Sequence, residues 1–229
     1  MRFIAVSIVL ATLACAAVAP PGDDSLNSTF TKMDDSSAHF KGLTADVKKI
    51  SHNEFLKEDD VESGKMAVKR ARAHELRAVV NITEPDKKDV ELNGHSVQMY
   101  FPKSNTLQIF NMDRKTTAVV DQLMLLGFGS TAADIQSAYT VKAGGPETIE
   151  GQKTMRLILT PKKPESLGDV VSIELWVSDI SGMAIRQKFN EHSHDYVEAT
   201  YTNMKMAPNL PDSAVKLNVP RDAHKEFLH

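Results

Sequence analysis

Two histidines and an aspartate form the densest set of potential metal ligands in the sequence. His192 and His194 are two residues apart, and Asp195 follows directly. Side chains at i and i+2 of a strand point to the same face, so both imidazoles would face one ion there. The stretch falls between two apolar runs, where a hairpin turn is expected, and no third ligand stands at a recognisable spacing. Because zinc sites usually need three or four protein ligands, we favour an exposed turn and keep a metal-dependent enzyme as an alternative.

Other chemistries find less support among the residues. The sequence has no G-x-S-x-G nucleophile elbow, and the GFGS stretch at 127–130 lacks the lysine and the strand-to-helix context of a phosphate loop, so helix capping is the better interpretation. The carboxylates at 34–35 and 58–60 stand in polar runs that are typical of solvated faces. The basic cluster at 68–74 is short and poor in aromatic residues, and the net charge is −3. We therefore expect no enzyme, no cofactor, no metal and no nucleic-acid partner.

Flexible apolar side chains are the more unusual feature of the chain. There are 10 methionines and 1 tryptophan among 229 residues, and the segment VVDQLMLLGF at 119–128 is apolar almost all round. Methionine adapts to irregular or changing contacts. These residues either fill the core or line a site for an apolar ligand, and both interpretations stay open at this point.

The periodicity of apolar residues defines the elements that must position them. A helix is expected over about 25–40, where apolar residues recur at steps of four and three. From Leu43 the period changes to two, which predicts consecutive strands with turns at Asn93-Gly94 and at 102–105. The connections are too short for crossover helices, so neighbouring strands are expected to be antiparallel.

A helical insertion interrupts the strands. One helix is predicted over 116–128, and a second short one begins at Ser130 or Thr131, with Asp134 as its capping-box partner. Strands resume at Tyr139, with turn signals at 144–145, 150–151 and 181–182, and AVKLNVP at 214–220 is read as the final strand.

The fold class that follows is mainly β (α+β), with one large curled antiparallel sheet. A sheet of about ten strands must curl or close, and helices with apolar faces are expected to cover its concave face. A curled sheet with a removable helical lid is a container for an apolar ligand. Residues 20–229 are expected to form a single domain of this kind after a signal peptide at 1–19, which has a positive start at Arg2 and an uncharged run up to the Pro-Pro-Gly break.

Six short segments, in this order and spacing, match the patterns of one protein family. They are RAHELR (72–77), TEPD (83–86), LNGHSVQMYFP (92–102), LTPK (159–162), SIELWVSDISGMAIRQKF (172–189) and APNLPDSAVKLNVP (207–220). Together they resemble the LolA-like outer-membrane lipoprotein-sorting proteins of Gram-negative bacteria. The sequence departs from the family patterns at Ala73, where the family has proline, and at Met99, where it has tryptophan.

The resemblance implies an unclosed antiparallel β-barrel with a helical lid. Members of the family carry the acyl chains of lipoproteins across the periplasm, from an inner-membrane lipoprotein-releasing transporter to an outer-membrane acceptor. The resemblance thus implies a periplasmic, non-enzymatic carrier of lipoprotein acyl chains or other lipid. We expect a monomer, because a carrier exposes its mouth to two successive partners. The alternative on the same fold is a lipid-anchored outer-membrane acceptor or an envelope-stress lipid sensor.

The resemblance also implies a latch residue beside the lid. The functional arginine of the family, near the lid, corresponds best to Arg72, with Arg70 as a competing register, and either would latch the lid helix. From strand alternation and the lid sequence, we expect the ligand to face Leu76, Val97, Met99, Phe101, Leu107, Ile109, Val119, Leu123, Met124, Leu126, Leu157, Leu159, Leu175 and Val177.

The single cysteine of the chain, Cys15, lies within the predicted signal peptide. Ala14 suits a lipid-attachment signal at Cys15, whereas Thr12 does not, and Ala14-Cys15-Ala16 also fits ordinary A-x-A cleavage. A carrier that is anchored in one membrane could not deliver its cargo to the other. We therefore favour loss of Cys15 with the signal, and lipidation at Cys15 stays the alternative.

Overall fold

The part of the chain described by the computed structural model comprises residues 23–72 and 75–228. The predicted signal peptide at 1–19 and Cys15 lie outside these residues. No helix within them is both long and apolar enough to cross a membrane.

The described residues form one large sheet with helices on one side of it. The α-helices are α1 (Asp23–His39), α2 (Arg114–Leu125) and α3 (Ala132–Ala138). The strands are β1 (Gly42–Asn53), β2 (Glu58–Arg72), β3 (Glu75–Glu84), β4 (Lys88–Asn93), β5 (Ser96–Phe101), β6 (Thr106–Asn111), β7 (Tyr139–Ile149), β8 (Gln152–Pro161), β9 (Val170–Ser178), β10 (Ala184–Glu191), β11 (Tyr196–Met206) and β12 (His224–Leu228). Two 3-10 helices, Pro164–Leu167 and Asp212–Val215, follow β8 and β11.

The sheet consists of two antiparallel meanders, β1–β6 and β7–β11, joined where β1 pairs with β11. The strand order is β12-β6-β5-β4-β3-β2-β1-β11-β10-β9-β8-β7, so β12 and β7 are free edges and the barrel is not closed. β12 runs parallel to β6, and the other pairings are antiparallel. The predicted fold class, a mainly β, unclosed curled sheet with a helical insertion, is confirmed.

The helical insertion has to cross the sheet. β6 lies next to one edge and β7 forms the opposite edge, so the chain from Asn111 to Tyr139 connects strands at the two ends of the strand order. α2 and α3 make this connection on the face that also packs against α1. We call this the inner face of the sheet and the other the outer face.

Most of the predicted elements and turns are present. α1 matches the helix expected over 25–40, α2 lies within two or three residues of the predicted 116–128, and Thr131 and Asp134 form the expected capping box of α3. The turn at Asn93-Gly94 is present, with φ of +57° at Gly94. The turn predicted at 144–145 is wrong, because these glycines form a bulge within β7, where an extra residue is accommodated without reversing the strand.

The final strand predicted at 214–220 is also wrong. Residues Asp212–Val215 form a 3-10 helix, and the chain that follows crosses the outer face without joining a ladder. Leu217 N donates to Glu91 Oε2 over 2.7 Å, and Leu217 and Val219 pack against Tyr100 and Leu107. The alternating pattern thus reflects packing on the outer face rather than strand pairing, and the true last strand is β12.

Candidate ligand site beneath the helical lid

Helix α2 lies between the two large apolar clusters of the inner face. Val120 and Met124 pack against the first cluster, which contains Leu43 and Leu76. Val119 and Leu123 pack against the second, which contains Leu157, Leu175 and Val177. These side chains are only half-buried, whereas the strand leucines beneath them are fully buried. α2 is therefore an apolar cover shared between the two halves of the sheet, and we call it the lid helix.

The chain after the lid helix is fixed by hydrogen bonds to its carbonyl groups. Gln187 Nε2 donates to Leu126 O, and the backbone N–H of Ala184 donates to Gly127 O over 2.8 Å. Ser37 Oγ and Arg70 Nη2 both donate to Gly129 O, over 2.7 and 3.0 Å. We call residues 126–130 the anchor segment, because donors from α1, β2 and β10 converge on it.

Gln187 links the anchor segment to Tyr201 of strand β11. Its amide oxygen accepts a hydrogen bond of 2.9 Å from Tyr201 Oη, while its amide nitrogen donates to Leu126 O. Both side chains are buried, and burial raises the pKa of Tyr201 far above its usual range. The Tyr201 hydroxyl thus stays protonated and acts as a donor. Phe128 contacts the same ring edge to face, with centroids 5.0 Å apart.

Two glycines allow the anchor segment to approach the sheet this closely. A Cβ on Gly127 would lie 2.4 Å from Ala184 Cβ, and Gly127 has a φ of +83° that side chains rarely adopt. A Cβ on Gly129 would lie 2.6 Å from Arg70 Nη2. Each glycine therefore gives a neighbouring donor or strand access to the backbone.

Polar contacts of the helical part of the lid involve Asp113, Thr117 and Gln122. Asp113 caps α2 by accepting from the backbone N–H of Thr116 over 2.7 Å. His95 Nδ1 lies 3.3 Å from Thr117 Oγ1, and Gln122 Nε2 donates to Tyr139 Oη over 2.9 Å. Burial raises the pKa of Tyr139 to about 12, with the Gln122 contact opposing that rise. The half-buried apolar side chains of α2 thus pack on both clusters, and the segment after it is held by hydrogen bonds.

The two arginines considered as a latch lie in different places. Arg70 is half-buried on the inner face, with its guanidinium carbon 5.5 Å from the ring centroid of Phe40 and its Nη2 on Gly129 O. Arg72 has an 84% exposed side chain, and its Nε lies 3.6 Å from Glu75 Oε2. A bulge between Arg70 and Arg72 shifts the register against β3, so the two side chains no longer share a face. Arg70 thus contacts the anchor segment that follows the lid helix, whereas Arg72 lies at the surface.

Most of the side chains expected to face a ligand lie on the inner face or on the lid. Leu76 lies in the first cluster, with Val97 and Met124 packed against it. Val119 and Leu123 border the second cluster, whose members include Leu126, Leu157, Leu159, Leu175 and Val177. Met99 and Phe101 follow Val97 at alternate positions of β5 and are half-buried.

Leu107 and Ile109 lie on the outer face instead. They alternate with Phe110, which pairs with Val97, and they pack with Tyr100 under the chain at 217–223. β5 and β6 are apolar on both faces because the C-terminal segment covers the outer one. Alternation alone therefore does not tell which face is inner.

The histidine pair lies in the turn between β10 and β11. His192 and His194 are exposed, and His194 has a φ of +71°. Among residues 23–72 and 75–228, no group of three or more His, Cys, Asp or Glu side chains is placed to hold a metal ion.

Sequence reasoning did not identify Gln187, Ser37 or the role of the glycines. A buried glutamine in a strand carries no spacing signal, and its backbone partner, the carbonyl of Leu126, is 61 residues away along the chain. The GFGS stretch did signal a special backbone conformation. Its consequence, close approach to the sheet, depends on a contact with Ala184 that appears only in the folded chain.

Comparison with known proteins places the fold among solved structures. No family model and no curated protein matches the sequence. An uncharacterized conserved protein from Thermus thermophilus is 12% identical, with a TM-score of 0.54 over 89% of this chain and 99% of that one. MucB is 9% identical, with a TM-score of 0.53 over 86% of this chain and 64% of its own, so this chain spans less than two thirds of MucB.

A LolA superfamily protein from Nitrosomonas europaea also matches, at 14% identity and a TM-score of 0.40, over 83% of this chain and 97% of that one. Identities of this size are informative about fold alone. The fold expected from the sequence, an unclosed, curled antiparallel sheet with helices on its inner face, is confirmed by the structure itself.

Proposed function

We propose that the protein is a non-enzymatic carrier that binds an acyl chain on the inner face of the sheet, beneath the lid helix. The observation that carries the proposal is the position of α2. It crosses between the two halves of an unclosed sheet, with Val119 and Leu123 directed to one apolar cluster and Val120 and Met124 to the other. An acyl chain and the lid helix would compete for the same apolar surface.

This competition supplies a physical reason for reversible binding. Burying an acyl chain is favourable by about 0.8 kcal/mol per CH₂, so a carrier that kept this whole energy would not release a long chain. Here, displacing α2 removes apolar contacts that the closed state already has. The net affinity is the difference between the two terms, so a partner that moves the lid shifts cargo on or off.

The anchor segment gives the lid a fixed end. Four donors hold the carbonyls of Leu126, Gly127 and Gly129, and α2 places half-buried apolar side chains on both clusters. We infer that α2 lifts while residues 126–130 stay in place, and that Arg70 fixes the pivot. In this proposal Arg70 takes the role that the family resemblance gave first to Arg72.

The cargo and route are the finer part of the proposal. The resemblance to lipoprotein-sorting proteins favours lipoprotein acyl chains, export to the periplasm, and delivery from an inner-membrane transporter to an outer-membrane acceptor. A lipid-anchored acceptor or lipid sensor on the same fold differs in its attachment at Cys15. Palmitate label on the mature protein that vanishes in Cys15→Ala would favour the anchored alternative over a soluble carrier.

Native mass spectrometry of the protein purified without detergent tests the proposal. The carrier is expected to retain co-purified acylated species, visible as added mass that is lost on delipidation. A protein that carries no added mass, and takes up no fatty acid after delipidation, would contradict it.

A further inference from the structure

Two lysines and one buried glutamate lie together where the apolar part of the inner face ends. Glu62 Oε2 accepts from Lys49 Nζ over 3.1 Å, and Glu62 Oε1 accepts from Lys88 Nζ. The side chain of Glu62 is 9% exposed, against 38% for Lys49 and 27% for Lys88. The three strands involved are β1, β2 and β4, so Lys88 reaches across β3 to make its contact.

Each lysine follows directly on a run of inner-face apolar residues. In β1 the inner face carries Leu43, Ala45 and Val47, which belong to the first cluster, and the next inner position is Lys49. In β4 the corresponding series is Leu92 and Val90, and the next inner position is Lys88. The inner face therefore changes from apolar to charged at Lys49, Glu62 and Lys88.

The other end of the inner face is closed. There Arg70 and the anchor segment cover the strands, and the Arg70 guanidinium is engaged with Gly129 O. An amphiphile that places its chain on the apolar part of this face would therefore have its polar head at the line of Lys49 and Lys88.

The cluster of Glu62, Lys49 and Lys88 holds two ammonium groups and one carboxylate. Burial works to raise the pKa of Glu62, but hydrogen bonds from Lys88 and Lys49 outweigh it and hold that pKa below its usual value. One ammonium would neutralise the carboxylate, and the second leaves a net charge of one. An ammonium has three N–H donors, and among the described residues each of these two makes a polar contact with Glu62 alone.

We propose that Lys49 and Lys88 bind the anionic head group of the amphiphile whose acyl chain occupies the inner face. The inference rests on the proposed binding of an acyl chain to the inner face, and it names a ligand class other than lipoproteins: a single-chain lipid with a carboxylate or phosphate head. Both heads accept charge-assisted hydrogen bonds from ammonium groups.

The test compares a charged and an uncharged probe with the same chain. The delipidated protein is titrated with cis-parinaric acid and with its methyl ester, and binding is followed by fluorescence. Lys49→Met and Lys88→Met are each expected to weaken parinarate binding by roughly threefold to tenfold, because one charge-assisted hydrogen bond to a partly exposed group is lost. The ester should be unaffected. Lys48→Met is the matched control, since Lys48 is exposed on the outer face.

Glu62→Gln gives a test of opposite sign. It releases both ammonium groups without removing either, so parinarate should bind more tightly and the ester equally well. Competition of bound parinarate by lysophosphatidic acid, compared with a monoacylglycerol of the same chain, separates a phosphate head from a carboxylate preference. Circular dichroism melting of every variant verifies that it is folded.

The outcomes separate this inference from the proposed function. If the acid and the ester bind equally, and no lysine variant distinguishes them, the head-group site is refuted while the carrier stands. Weaker parinarate binding in Glu62→Gln also refutes the head-group site. If neither probe binds the folded protein, the carrier proposal fails together with this inference.

Discussion

Arg70 and Gly129, 59 residues apart in the chain, are joined by a hydrogen bond of 3.0 Å from the guanidinium to the carbonyl. This bond ties the second strand of the sheet to the chain that leaves the lid helix. Arg72, two residues further along, contacts Glu75 at the surface instead. The contrast between the two arginines gives the first prediction.

Replacing Arg70 by leucine should destabilise the anchor segment, whereas Arg72→Leu should not. The loss of a charge-assisted bond to a buried carbonyl is expected to lower the free energy of unfolding by roughly 1–3 kcal/mol. Arg72→Leu removes an exposed ion pair and should change it by no more than about 0.5 kcal/mol. Urea denaturation measures both. Hydrogen exchange in residues 120–131 should also become faster in Arg70→Leu, and equal effects of the two substitutions would contradict the assignment.

A second prediction concerns Gly127. In Gly127→Ala the new Cβ would meet Ala184 Cβ at 2.4 Å in addition to occupying a left-handed φ. Gly151→Ala is the matched control, because its φ is +74° with open space around the new atom. The control should cost about 1 kcal/mol, the penalty of the backbone conformation alone, and Gly127→Ala should cost distinctly more. Equal costs by thermal or urea unfolding would mean that the anchor segment is not in close contact with β10.

A third prediction concerns the link from Tyr201 through Gln187 to Leu126. Gln187→Leu leaves a buried hydroxyl and a buried carbonyl without this partner, which should cost roughly 2–5 kcal/mol. Tyr201→Phe removes one hydroxyl only and should cost about 1 kcal/mol. In the double variant the costs should not add, because both substitutions break one network. Additive losses in a double-mutant cycle would show that the two hydrogen bonds are independent.

The β1–β2 hairpin supplies a pH-dependent prediction. His52 Nδ1 lies 2.7 Å from Asp59 Oδ1 and Nε2 lies 3.2 Å from Glu54 Oε2, and hydrogen bonds first to Asp59 and then to Glu54 raise the pKa of His52. A raised pKa in the folded state stabilises the protein below the ordinary value of 6.5 and ceases to do so as the pH rises through the folded value. The free energy of unfolding should therefore fall across the window above pH 6.5.

NMR titration of the His52 ring protons checks this directly. The midpoint should lie above 6.5 in the wild type and move down in Asp59→Asn, which removes the larger of the two causes. His52→Gln should flatten the pH dependence of stability in the same window. A His52 midpoint that Asp59→Asn leaves unchanged would contradict the assigned cause.

Much of the fold was predictable from local pattern, and its long-range pairing was not. The period-two runs and the Asn93-Gly94 turn specify hairpins because each depends only on neighbouring residues. The pairing of β1 with β11, which lies far later in the chain, has no local signature. The helical insertion is visible in the sequence, but its crossing from one sheet edge to the other depends on that pairing.

The candidate site was predictable to a similar extent. The lid helix was recognisable from its apolar spacing, and Leu157, Leu159 and Leu175 from their alternation on strands. Strand alternation does not reveal the bulge that turns Arg72 away from Arg70. The bulge depends on how β2 pairs with β3. Nor does strand alternation reveal that Leu107 lies under the C-terminal segment, since that segment reads as a strand.

Photolabelling with a diazirine-bearing palmitic acid is the measurement that tests most directly whether an acyl chain occupies the inner face beneath α2. After irradiation of the saturated protein, residue-level mass spectrometry locates the adducts. The label is predicted on inner-face and lid side chains, in particular Val97, Met99, Leu123 and Met124, and an excess of unlabelled palmitate should prevent it. Adducts confined to the outer-face residues Leu107 and Ile109 or to the exposed Phe55, or label that palmitate does not displace, would contradict the proposed site.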